Sequence, residues 1–139
     1  VFVLLTSISS AFANGKEEVN ERIIKSFEKE FAGAQHVEWI TTKDFVKVTF
    51  TLNEQVVYAF YEQNGNLLGV TRNILSSQLP INLLTDLKKN YSTHWITDLF
   101  EMASNNENVY YVTLENSDQK LVLKSSGTTG WEVYRKERK

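Results

Sequence analysis

The sequence has no cysteine, one proline and one methionine among its 139 residues. Without cysteine there is neither a disulfide framework nor a lipid-modified thiol, so the fold must rest on burial alone. A chain of this length with 42% hydrophobic residues has enough material for one domain with a real core. Charge of one sign is also missing. Fifteen basic residues stand against 17 acidic ones, a formal net charge of -2, which excludes the broad cationic footprint that phosphate neutralisation requires. The one basic cluster, Arg135 to Lys139, is interrupted by Glu137 and reads as a solvated tail. Imidazole is scarce. His36 and His94 are the two histidines, each just ahead of or at the start of a strand-like run and neither accompanied by a closely spaced ligand partner. A metal shared with Glu38 or Asp98 is therefore not expected. Nucleophilic or acid–base catalysis needs a cysteine, a histidine-held nucleophile or clustered carboxylates, and phosphate binding needs a glycine-rich loop. None of these is present, so no enzyme activity, no catalytic or metal residue and no cofactor is expected.

What is present begins with an export signature. Val1 to Ala13 form a short apolar run, then small polar residues, then Ala11-Phe12-Ala13, the small-x-small pattern ahead of a signal-peptidase cut before Asn14. The run is too short to span a bilayer. The expectation is a signal-peptide remnant over residues 1–13 and a mature single domain over 14–139, periplasmic or secreted in a bacterium and with no membrane insertion after cleavage.

From Lys16 to Phe31 the apolar residues Val19, Ile23, Ile24, Phe27 and Phe31 recur every three or four positions among Glu, Lys and Arg. That spacing predicts an amphipathic helix, stopped near Gly33. Four strands follow, over Gln35–Ile40, Phe45–Leu52, Val56–Tyr61 and Leu67–Arg72, where β-branched and aromatic residues alternate with polar ones. The breaks fall at Asn53-Glu54 and at Asn64-Gly65, the latter expected as a type I′ hairpin turn. A second helix opens at Pro80 and runs to Asn90 through Leu83, Leu84 and Leu87. Four further strands are predicted over Trp95–Met102, Val109–Glu115, Lys120–Lys124 and Trp131–Lys136.

The second half repeats the element order of the first. Phe31 meets Tyr91, Val48-Thr49-Phe50 meets Val112-Thr113-Leu114, and Asn64-Gly65 falls near Ser126-Gly127. The expected repeat units cover about residues 16–76 and 77–139. The run FAGAQHVEWI, the turn YEQNG, and Leu79-Pro80 opening a second helix resemble the PepSY-like proteins of the β-lactamase-inhibitor-protein-like (BLIP-like) class, small exported proteins found chiefly in Bacteroidetes. Phe31-Ala32-Gly33-Ala34 stands where that family has Phe-Pro-Gly-Ala, and Val37-Glu38-Trp39 where it has valine, a variable residue and tryptophan. The chain departs from the pattern at Ala32, and its second half lacks a clear Phe-Pro-Gly-Ala or a clean Asp-x-Gly turn. The resemblance implies an α+β fold in which two tandem helix-plus-four-strand units form one curved antiparallel sheet with helices on one face. It also implies an exported compartment; the family's biochemical role is largely unassigned, and inhibitory binding is a suggestion made by its structural cousins.

Strand alternation supplies a functional expectation. If Val46, Val48, Phe50 and Leu52 face the helices, then Phe45, Lys47, Thr49 and Thr51 face away. Pairing through Asn53-Glu54 puts Val57, Ala59 and Tyr61 inward and Val56, Tyr58 and Phe60 outward. In the second half Tyr110, Val112 and Leu114 turn inward, and Val109, Tyr111 and Val122 outward. Phe45, Tyr58, Phe60 and Tyr111 then form an outward aromatic set, a surface for a protein or peptide partner. The alternatives are burial of that face against a second copy of the chain, or carriage of a small ligand in a cleft between sheet and helix. Trp39, Trp95 and Trp131 are expected as core pegs, with Trp131 the most exposed of the three.

Overall fold

Asn20, not Lys16, begins the first helix. Residues 16–139 are described by the computed structural model, and the export signature of Val1 to Ala13 lies outside the described residues. A 3-10 turn spans Lys16–Glu18, and α1 then covers Glu21–Glu30. The Asn20 side-chain Oδ1 accepts from the Arg22 N–H at 2.8 Å, satisfying one of the donors that a helix start leaves open. Val19 is thereby excluded from the helix but is still buried beside it. The remaining elements are β1 Gln35–Thr41, β2 Val46–Leu52, β3 Gln55–Tyr61, β4 Leu67–Asn73, a 3-10 turn at Ser76–Gln78, α2 Ile81–Asn90, β5 Trp95–Ser104, β6 Glu107–Glu115, β7 Gln119–Ser125 and β8 Glu132–Arg138. The fold is α+β. Its strands are hydrogen-bonded in chain order, an open antiparallel sheet of eight. The chain divides into two compact units, the first ending at Val70 and the second covering Thr71–Lys139, so the last residues of β4 belong with the second.

In the first unit α1 lays Ile23 and Phe27 against the inward residues of the strands. The Phe27 ring meets Trp39 at 5.1 Å and Phe50 at 5.0 Å, both edge to face, and Phe31 meets Phe50 at 4.8 Å. Val46, Val48, Ala59 and Tyr61 complete the floor, all buried, which is the inward set that alternation predicts. Each large apolar side chain removed from water here contributes about 1.5–3 kcal/mol, so the register of β2 on β3 is held firmly. That register, Leu52 opposite Gln55, leaves Asn53 and Glu54 as a two-residue turn. Both have positive φ, 51° and 66°, as a type I′ turn requires.

The turn at Asn64-Gly65 differs from expectation. Only Gly65 is left-handed, at φ 97°. The Glu62 carbonyl accepts from the Gly65 N–H at 3.0 Å, while the Glu62 N–H donates to the Asn66 carbonyl at 2.9 Å. The Asn64 side chain accepts from the Asn66 N–H at 3.0 Å, which holds Asn64 in an ordinary turn conformation and leaves the left-handed step to glycine.

In the second unit Leu83 and Leu87 of α2 pack against Leu99, Val112, Leu114, Leu121 and Leu123. The expectation for its tryptophans is reversed. Trp95 is 52% exposed, whereas Trp131 is half-buried against this core and donates its indole N–H to the Leu83 carbonyl at 3.0 Å. The cause is position along β5. Trp95 pairs with Glu115, an irregularity follows between Ile96 and Asp98, and Leu99 occupies the place opposite Val112 that Trp39 occupies opposite Val48 in the first unit. One extra residue changes which side chains face inward. At the far end, every residue of β8 is exposed.

Candidate binding surfaces

On the outward side of the first unit, strand register sets Ile40, Lys47 and Phe60 in one row and Glu38, Thr49 and Tyr58 in the next. The rings of Phe45 and Phe60 meet edge to face at 5.5 Å. The Lys47 ammonium lies 4.8 Å from the centre of the Tyr58 ring and 6.0 Å from that of Phe60. Cation and ring faces attract by about 0.5–1 kcal/mol at exposed sites. This arrangement keeps Lys47 standing over the sheet, with Ile40 51% exposed beside it. Phe45, Tyr58 and Phe60 are half-buried and none joins the core beneath α1. Three of the four aromatic residues expected on this face are thus brought together, Tyr58 and Phe60 beside Lys47 and Phe45 against Phe60.

The fourth, Tyr111, lies in the second unit with neighbours of its own. Phe100 stacks on it at 5.0 Å, and Tyr134 meets it edge to face at 5.5 Å. The Lys124 ammonium is 5.9 Å from the Tyr111 ring and 5.8 Å from that of Tyr134. Phe100 and Tyr134 were not among the expected residues. A signal for Phe100 exists in the sequence, because Asn105-Asn106 is a second type I′ turn with φ 45° and 66°. Treating it as a two-residue connection counts Phe100 directly opposite Tyr111.

Each unit also has a cleft where its helix ends near the first following strand. The first, about 320 Å³, is lined among others by Phe27, Phe31, Trp39, Lys16 and Glu28. The second, about 280 Å³, is lined among others by Leu84, Leu87, Tyr91, Ile96, Lys88 and His94. The His94 ring is held by amides. Asn116 Oδ1 accepts from the backbone N–H groups of Asp118 and Gln119, both at 2.9 Å, which turns its Nδ2 toward His94 Nε2 at 3.2 Å. The Gln119 side-chain nitrogen approaches the same ring atom at 3.1 Å. Two amide nitrogens thus face Nε2, an arrangement suited to that ring atom as an acceptor. His36 is exposed, with φ 54°, within the irregular stretch of β1. Among the described residues no group of three or more His, Asp or Glu side chains could hold a metal ion.

Among the described residues three groups have displaced ionisation. Burial and the Glu30 carboxylate push the Tyr61 phenol up to about 12, against a smaller opposing effect of Ser26. Burial and Glu101 raise Tyr110. Hydrogen bonds from Lys139 and Thr97 lower Glu115, whose carboxylate is 2.9 Å from the Lys139 ammonium. These groups do not converge on one place with a nucleophile, so no reacting centre can be assembled from them.

Among the described residues no helix is long and apolar enough to cross a membrane. No family model matches the chain, and no curated protein matches it in sequence. Solved structures do match in fold. A DUF2874 family protein from Bacteroides uniformis superposes with a TM-score of 0.75 at 12% identity, covering 86% of this chain and 89% of that one. A protein of Bacteroides eggerthii named as periplasmic gives 0.73 at 10% identity, over 86% and 88% of the two chains. A BLIP-like protein from Bacteroides fragilis gives 0.72 at 18% identity, over 86% of each. The chain shares the fold of these Bacteroides proteins, the BLIP-like fold.

Proposed function

We propose that this chain is an exported binding protein without enzyme activity, and that it holds a protein or peptide partner against the outward face of β2 and β3. One observation carries the reading. Tyr58 and Phe60 flank Lys47, and Phe45 packs on Phe60, on a face that α1 does not cover. Rigid rings beside a held cation combine apolar area with a point of charge recognition, the composition of a binding hot spot. The partner would offer an apolar ridge bearing a carboxylate. The BLIP-like name of one fold neighbour favours inhibition as the consequence of binding, and the periplasmic name of another favours the envelope as its place. The doubled order of helix and strands agrees with a tandem repeat and with PepSY-like kinship.

The test is affinity capture from a periplasmic extract with the mature chain, with Tyr58→Ala/Phe60→Ala as the comparison. A partner retained by the parent chain and lost by the double variant, with both melting cooperatively, is the expected result. Equal retention of every partner by both chains removes the reading. Sedimentation of the mature chain alone separates it from a second copy covering the same face, which would appear as a dimer dispersed by the same two substitutions.

A further inference from the structure

We infer that the cleft between the end of α2 and the start of β5 is a binding site for a small carboxylate with an apolar body, independent of the sheet face. The two clefts differ in charge. The first has Lys16 and Glu28 in its lining, one of each sign, whereas the second has Lys88 and no carboxylate. A helix end carries a partial negative charge of about half a unit, and the last turn of α2 offsets it with both Lys88 and Lys89. Asp86 also stands on this part of the helix, its carboxylate accepting from Asn90, but it does not line the cleft, where Lys88 is the charged group. The walls between the polar groups are Leu84, Leu87, Tyr91 and Ile96, and Ile96 leaves 42% of its surface in water.

His94 sharpens the selectivity. The Asn116 and Gln119 amides face Nε2 at 3.2 and 3.1 Å, so the other ring nitrogen, Nδ1, is the one left toward a guest, and its contact with Thr93 Oγ1 is long, at 3.4 Å. The ring is thus prepared to donate to an incoming acceptor while Lys88 supplies the charge. A cavity of about 280 Å³ is at the small end of ligand sites, which limits the guest to one ring or a short branched chain.

The probe is 4-phenylbutyrate, with 4-phenylbutanol as the neutral counterpart, titrated into the 15N-labelled mature chain at pH 7. Amide shifts are expected at Leu84, Lys88, Tyr91, His94 and Ile96, with the alcohol roughly fivefold to tenfold weaker. Lys88→Gln should reduce acid binding to the level of the alcohol, and Leu84→Trp, which fills the cleft, should abolish it with the rest of the spectrum unchanged. Equal binding of acid and alcohol overturns the inference, as does the absence of saturable shifts at these amides. His94→Gln, which keeps a donor and an acceptor, should retain part of the discrimination; discrimination undiminished by both Lys88→Gln and His94→Gln also overturns it. None of these outcomes bears on the partner face of β2 and β3.

Discussion

Tyr61 shows how one atom can be tolerated for the sake of the ring that carries it. Its side chain is fully buried in the first core, yet its hydroxyl has no hydrogen-bond partner. A buried hydroxyl left unpaired costs on the order of 1–3 kcal/mol, and the ring's apolar burial offsets that. Because the folded-state value stands at about 12 against an ordinary 10.0, stability is intact below pH 10 and declines as pH rises from there toward 12. The slope is at most about 1.4 kcal/mol per pH unit. Tyr61→Phe, which removes that unpaired hydroxyl, should raise stability at pH 7 by about 1–3 kcal/mol and should remove most of the alkaline decline in a denaturant-midpoint series. Tyr110, raised as well by burial and by Glu101, accounts for a remainder. An identical decline in the variant would reject the assignment. Ser125 on β7 is buried like Tyr61 but fully engaged, donating to the Thr129 carbonyl at 2.7 Å and accepting from the Gly127 N–H at 3.0 Å.

Among the elements, the hairpins decided which faces the strands present. The alternation of β2 and β3 was legible because Asn53-Glu54 admits one short connection, and a two-residue link fixes the phase of both strands at once. Glu54 is the weak point of that link. A side chain at φ 66° is strained by roughly 1–2 kcal/mol, part of which glycine would return through its own greater loss of freedom. Glu54→Gly should therefore raise stability by about 0.5–1 kcal/mol, read as a shift in denaturant midpoint without a change in slope; a loss of stability would contradict the turn geometry. The phase of β5 was not legible. Its irregularity between Ile96 and Asp98 has no marker in residue type, so Trp95 was expected inward and stands exposed, while the burial of Trp131 rests on its hydrogen bond to the Leu83 carbonyl, which periodicity does not register. The beginning of α1 was legible only in part. The apolar spacing continues through Val19 without a break, and the cap formed by Asn20 is a polar event that periodicity does not register.

For the molecule as a whole, sequences 10–18% identical to this one share its fold over 86% of the chain. Alternation, two amphipathic helices and a set of short turns are enough to specify such an architecture, because each needs only residue classes and not particular residues. Function is written at a finer grain, in which rings surround which lysine, and this is why the outward set was partly legible and Phe100 and Tyr134 were not.

The same molecule must also avoid becoming a template for itself. The final strand, β8, presents Glu132, Arg135, Lys136, Glu137 and Arg138, all solvated, along a border whose unpaired amides would otherwise recruit foreign segments. Replacing Arg135 and Lys136 by valine should therefore convert a dispersed solution into one that polymerises, read by light scattering and by a fibril-sensitive dye; continued dispersal would assign that protection elsewhere. The charge at this border serves to keep a crowded population of such molecules from growing into fibres.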